Sequence, residues 1–115
     1  MKHITVTELK QRLENEPDLT IIDVRSLDEY RMAHIPQAKS LPLDIILDHS
    51  DRCSEEIKPF IRTGETLYVV CLSDRRSVMA CQRLAEIGLN NTCFIEGGTK
   101  AWISAGLPTV SEYND

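Results

Sequence analysis

The sequence predicts an α/β fold: a central, mostly parallel β-sheet with helices on both faces. Three observations carry this prediction. Short runs rich in β-branched residues alternate with stretches of helical periodicity. One run, Thr66-Leu67-Tyr68-Val69-Val70, is almost continuously apolar, as a central parallel strand buried on both sides requires. Capping residues, glycines and prolines fall at the joins between runs. No internal repeat and no linker interrupts the alternation, so residues 1–115 read as one domain.

Taken in order, His3 to Val6 suits a short first strand. Thr7 is the expected N-cap of a helix whose apolar face carries Leu9 and Leu13. After Pro17 and Asp18, the segment from Leu19 to Val24 is a buried strand, dense in β-branched residues. Ser26 and Glu29 form a capping box that opens a helix over Leu27 to Met32. His34-Ile35-Pro36 ends that helix, because the residue before proline avoids the α region. Leu41 to Leu43 is expected to be extended, and Asp44 to Phe60 to hold one or two helical pieces. The strand over Thr66 to Val70 leads into a polar segment and a helix from Ser77 to Ile87, with Val78, Cys81, Leu84 and Ala85 on one side. Gly88 is the expected C′ glycine. Thr92 to Ile95 is another strand, and Gly97-Gly98 leads into a last helix around Lys100 to Ser104.

Composition narrows the function classes. Of 115 residues, 42% are hydrophobic and 27% charged, enough for a real core and ordinary for a globular domain. A net charge of −5 argues against nucleic acid as a main partner. No apolar run approaches the roughly 20 residues of a membrane helix, and Met1 to Thr5 has no apolar signal region, so a cytoplasmic protein is expected. The four cysteines, Cys53, Cys71, Cys81 and Cys93, contain no C-x-x-C pair and no zinc-site spacing, so neither a metal nor a disulfide framework is predicted. Cys81 and Cys93 lie on apolar runs and read as inert; Cys53, in a polar stretch, is expected at the surface.

Cys71 differs from the other three. It follows the central strand, and Cys71 to Arg76 joins that strand to a helix. Ligands of open α/β sheets bind at the carboxyl ends of strands. A tight loop there points backbone N–H groups inward, and a helix N-terminus adds partial positive charge. Such a cradle binds anions and favours thiolate over thiol. Arg75 and Arg76 add positive charge. Taken singly, a cysteine after Val-Val is a small core residue and two arginines at a helix start are solvated surface. Their coincidence at a strand–loop–helix junction points to a nucleophile that attacks an anionic substrate.

The segment Cys71-Leu72-Ser73-Asp74-Arg75-Arg76-Ser77 resembles the Cys-x-x-Gly-x-Arg-Ser signature of the rhodanese family. Other landmarks resemble that family in the same order: Asp23-Val24-Arg25; Glu29-Tyr30 with His34-Ile35-Pro36 and Ala38; and Glu96-Gly97-Gly98, Trp102 and Ala105-Gly106-Leu107-Pro108. The resemblance runs from about Ile4 to Val110 and implies a rhodanese-like fold and a single-domain sulfurtransferase. It implies a persulfide on Cys71, formed from a small anionic donor such as thiosulfate and discharged to cyanide or a thiol, with Leu72, Ser73, Asp74, Arg75, Arg76 and Ser77 as the binding loop. No metal or organic cofactor is implied. Arg76 is expected to bind the anionic donor.

Loop length separates this from related chemistry. Related phosphatases and arsenate reductases carry Cys-x5-Arg around a tetrahedral oxyanion, whereas Cys71 to Arg76 is Cys-x4-Arg and position 77 is Ser77. The departures from the family pattern are Ala33 before His34, Gln37 after Pro36, and Asp74 at the loop glycine. Asp74 is expected in a left-handed backbone position, with its carboxylate tempering the anion cradle. A catalytically weak binding or regulatory module is the alternative that this change suggests. Asp23 and Arg25 read as an ion pair fixing the loop after their strand, His34 as a turn-stabilising hydrogen bonder, Trp102 as a core anchor, and Glu29 as accounted for by the capping box.

Overall fold

The computed structural model describes residues 1–113; Asn114 and Asp115, at the end of the expected 1–115 unit, lie outside the described residues. Five strands, β1 (Lys2–Ile4), β2 (Ile21–Asp23), β3 (Ala38–Ser40), β4 (Leu67–Val70) and β5 (Thr92–Ile95), form one sheet in the order β1-β5-β4-β2-β3 among these residues. All of its pairings are parallel. The helices are α1 (Val6–Asn15), α2 (Leu27–Met32), α3 (Leu43–Leu47), α4 (Arg52–Ile57), α5 (Arg75–Glu86) and α6 (Gly98–Ser104), with a 3-10 turn over Lys58–Phe60.

The two-residue period of the strands divides the core between the two faces of the sheet. Tyr68 and Val70 of β4 join Ile21, Ile95, Leu9 and Leu13 of α1 and Trp102 of α6 on one face. Leu67 and Val69 join Ile22, Ile46 of α3, Cys53 and Ile57 of α4, and Ala80, Cys81 and Leu84 of α5 on the other. Every residue of β4 is buried, which explains its unbroken apolar run. Cys71 continues the alternation of Leu67 and Val69 and so faces α5.

Several local expectations change. The N-cap of α1 is Thr5, not Thr7: Thr5 Oγ1 accepts the Glu8 N–H at 3.2 Å while the Glu8 carboxylate accepts the Thr5 N–H. This Thr-x-x-Glu box draws Val6 into the first turn and ends β1 at Ile4. The strand expected from Leu19 shortens to β2, and Ala38–Ser40, which has no β-branched residue, pairs along it as edge strand β3. Leu43 opens α3 rather than staying extended, behind Pro42. Helix α5 begins at Arg75, and its buried face is Ser77, Ala80, Cys81 and Leu84; Val78 is half-buried and Ala85 exposed. Cys53 is buried rather than at the surface, because Cys53 and Ile57 stand one turn apart on the inward side of α4. Helix α2 and strand β5 fall where expected. Gly88, at φ 92°, donates to Ala85 O while Leu89 donates to Leu84 O, the paired bonds of a Schellman end.

The strand order positions the site. From β2 the chain crosses to β3 on one side, and from β4 it crosses to β5 on the other. The carboxyl ends of β2 and β4 are therefore neighbours at the point where the winding reverses, the place where open α/β sheets bind ligands.

Candidate active site

The loop after β4 is short. Cys71 to Asp74 connects the strand to α5, and Arg75, Arg76 and Ser77 form that helix's first turn. The Ser77 N–H donates to Cys71 Sγ at 3.3 Å. The sulfur thus occupies the N-terminal end of a twelve-residue helix, where the macrodipole favours negative charge. The carbonyls of Cys71 and Leu72 turn away to accept the Thr99 and Lys100 N–H groups of α6, at 2.8 and 3.0 Å. The N–H groups of Leu72, Ser73, Asp74, Arg75 and Arg76 donate to no protein acceptor among the described residues. Consecutive N–H groups without protein acceptors beside a helix start are the kind of arrangement that binds anions.

Helix α6 holds the loop from behind. Gly98 has φ +59°, and a Cβ there would stand 2.4 Å from Cys71 O and 2.6 Å from Ser73 O, so only glycine lets the two segments meet. Asp74 adds a third tie: its Oδ1 accepts the Gly97 N–H at 2.8 Å. Its backbone, at φ −134° and ψ −36°, is not left-handed. The carboxylate expected to temper the cradle also serves as a strut between the loop and α6.

The two arginines differ. Arg75 is exposed and pairs with no carboxylate among the described residues. Arg76, expected to be available to a donor, is bound to Glu29: Nη1 and Nη2 donate to Oε1 and Oε2 at 2.7 and 2.9 Å. This pair holds the Glu29 carboxyl at about 2 and raises the Arg76 guanidinium. Glu29 also closes the expected capping box with Ser26, so the box accounts for only part of its bonding. Sequence reasoning missed this role; the available signal was a second capping-box carboxylate ahead of an otherwise unpartnered loop arginine.

The flanking residues behave as anticipated. Asp23 and Arg25 form a buried ion pair at 2.8 Å, and Arg25 also donates to Ala33 O, which fixes the chain after β2. His34 Nδ1 lies 2.7 Å from Tyr30 O, and its ring stacks on that of Tyr30. Trp102 is buried and donates to Pro108 O.

All four cysteines are free and buried, Cys71 at 1% exposure, so burial does not single one out. Surroundings do. Burial pushes the thiols of Cys53, Cys81 and Cys93 up. Among the described residues, only Cys71 of the four accepts a backbone N–H at a helix start. Two buried hydroxyls near the loop, Ser77 Oγ and Thr99 Oγ1, have no partner among the described residues. A hollow at the opposite end of the sheet, lined by Thr20, Phe60, Arg62 and Leu89 among others, contains no cysteine. No group of three or more His, Cys, Asp or Glu side chains is placed to hold a metal ion among the described residues.

An all-parallel α/β sheet with a cysteine loop at its winding reversal defines a small class of proteins. The match is direct: the model of the rhodanese-like domain covers residues 5–105, and the chain belongs to the rhodanese-like family. It is 32% identical over 111 residues to a sulfurtransferase of Allochromatium vinosum, covering 96% of each chain. It is 36% identical over 104 residues to the uncharacterized protein slr1261 of Synechocystis, covering 90% of this chain and 54% of that one. The chain thus spans about half the length of some curated relatives it matches. The rhodanese-like domain of Alr3790 from Anabaena superposes with a TM-score of 0.80 at 27% identity, covering 96% of this chain and 80% of that one. No helix among the described residues is long and apolar enough to cross a membrane.

Proposed function

We propose that this protein is a sulfurtransferase that carries a sulfane sulfur on Cys71. It takes the sulfur from a donor such as thiosulfate and passes it to cyanide or to a small-molecule or protein thiol. The reading rests above all on one arrangement: a cysteine sulfur held by a helix N-terminus, with five consecutive N–H groups left without acceptors beside it. A sulfurtransferase relative of nearly equal length supports it.

The Cys71 thiolate attacks the outer sulfur of thiosulfate. A new S–S bond forms, the bond from the outer sulfur to the sulfonyl sulfur breaks, and its electron pair leaves with sulfite. The terminal sulfur of the persulfide then bears the negative charge, which the N–H groups of Leu72 to Arg76 and the α5 terminus stabilise. Cyanide attacks that sulfur, thiocyanate leaves, and the electron pair returns to Cys71 as thiolate. No oxidant and no general base are consumed. Because Cys71 is 1% exposed, a projecting terminal sulfur reaches it more readily than the recessed centre of a tetrahedral oxyanion.

Intact-protein mass spectrometry tests the reading. Incubation with thiosulfate should add one sulfur atom, cyanide should remove it, and Cys71→Ser should never acquire it. Failure to gain sulfur from thiosulfate or from an organic hydropersulfide overturns the proposal, as does a gain in Cys71→Ser.

A further inference from the structure

The loop that holds Cys71 has a lip of its own. Leu72 follows the nucleophile and is 44% exposed, although Cys71 itself is 1% exposed. Arg75 opens α5, lies at the surface and pairs with no carboxylate among the described residues. Its Cα–Cβ bond tilts toward the helix N-terminus, here toward the loop. From the other side, the Lys100 N–H donates to Leu72 O at 3.0 Å, which sets the first turn of α6 against the lip. Lys100 is also exposed and also pairs with no carboxylate among the described residues.

The neighbouring carboxylates do not cancel these charges. Both Glu29 oxygens are taken by Arg76, and Glu96 reaches His3 at 2.5 Å. Asp74 keeps its charge while one of its oxygens accepts the Gly97 N–H. Against that carboxylate stand the unpaired Arg75 and Lys100, so the lip is positive on a chain whose total is −5. Leu72 and Arg75 occupy open positions of the Cys-x-x-Gly-x-Arg-Ser pattern, and Lys100 falls between the Gly97-Gly98 and Trp102 landmarks. The lip therefore belongs to this chain and not to the signature. Thiosulfate bears its charged oxygens one atom from the sulfur it gives up. An organic thiol instead places a carboxylate several bonds away, with an apolar stem for Leu72 and a charge for the guanidinium beyond it.

We infer that Arg75, supported by Lys100, selects the sulfur acceptor: sulfur passes from Cys71 preferentially to small organic thiols that carry a carboxylate. This rests on the reading that Cys71 carries sulfane sulfur. The acceptor thiolate attacks the outer sulfur of the Cys71 persulfide anion. A new S–S bond forms, the bond between the outer sulfur and Cys71 Sγ breaks, and its electron pair stays on Cys71 as thiolate. The acceptor leaves as its hydropersulfide anion, so charge is conserved and no oxidant or reductant is consumed.

The test follows discharge alone. Protein loaded from thiosulfate or an organic hydropersulfide, then freed of donor, is mixed with 3-mercaptopropionate, 2-mercaptoethanol or cysteamine. The persulfide remaining is read by intact-protein mass spectrometry. These thiols share a short stem and end in a negative, a neutral and a positive group. Dividing each wild-type rate by the variant's removes the intrinsic reactivity of the thiol. Arg75→Gln should slow discharge to 3-mercaptopropionate about two- to fivefold, the range of an exposed ion pair, and slow discharge to 2-mercaptoethanol far less. Discharge to cysteamine should rise. Adding Lys100→Gln should deepen the loss, Arg75→Lys should restore most of the rate, and salt should shrink the difference. Equal slowing with all three thiols, or no slowing with 3-mercaptopropionate in the double variant, overturns the inference while sulfur loading of Cys71 still stands. So does a loaded wild type that yields its sulfur to cyanide but not to 3-mercaptopropionate. A wild type that loads from neither donor overturns both.

Discussion

The Asp74 carboxylate accepts the Gly97 N–H at 2.8 Å and so ties the loop after β4 to the turn that starts α6. Asp74→Gly should therefore cost about 1 kcal/mol of stability and lower sulfur-transfer turnover a few-fold, through a looser loop. Asp74→Asn keeps an acceptor and should recover most of both. Urea midpoints and steady-state rates on the two variants decide the matter. Faster turnover in Asp74→Gly would restore the brake that the sequence alone suggests.

Cys71 should be the only thiol on which turnover depends. Cys71→Ser should lose thiosulfate-to-cyanide transfer entirely. Serine at Cys53, Cys81 or Cys93 should retain turnover but cost about 1–3 kcal/mol of stability each, because each sulfur is buried and a hydroxyl in its place needs a partner. Thermal melts beside a thiocyanate assay separate the two effects.

Ser77 offers a discriminating case. Its hydroxyl is buried without a partner among the described residues, and its N–H already meets Cys71 Sγ. Side chains in a helix tilt toward its N-terminus, here toward the loop. Removing an idle buried hydroxyl should be neutral or stabilising. Ser77→Ala is expected to preserve the melting temperature yet slow sulfur uptake by about three- to tenfold, the loss of a hydrogen bond that the idle hydroxyl would make only to the incoming sulfur. Unchanged uptake would make the hydroxyl a bystander.

The Arg76–Glu29 pair has a defined pH signature. Folding lowers the Glu29 carboxyl from 4.5 to about 2. The folded state therefore binds its proton more weakly than the unfolded chain does, and stability rises with pH through this window. The contribution should be fully present above about pH 4.5 and lost as pH falls through about 2. Unfolding free energies of wild type and Glu29→Gln, measured from pH 6 downward, should differ by a constant amount at first and then converge. Parallel curves across the whole range would sink this account.

Features decided within one turn or one strand were legible from sequence. The Ser26-x-x-Glu29 box marks α2, β-branched density marks β2 and β5, and Gly88 marks the end of α5. Cys71 stood out because a strand, a polar loop and a helix start coincide there. What escaped depended on partners far along the chain. Ala38–Ser40 has no strand propensity of its own and is strand by virtue of β2. Cys53 is buried by the phase of α4, which its polar neighbours conceal. Glu29 and Arg76 belong to different crossovers, and Asp74 finds its partner in a turn beyond β5. Two Thr-capping registers competed at the first helix, and the one that adds a reciprocal Glu8 bond prevailed.

The carbonyls of Cys71 and Leu72 are held by Thr99 and Lys100. A chain emerging from the ribosome therefore presents Cys71 before the residues that anchor its loop have been made. Until α6 has been synthesised and docked, those carbonyls lack the anchors that the folded chain gives them. The shape of the Cys71 loop is in this way coupled to the making and docking of α6, and a chain halted after α5 carries the cysteine without those anchors.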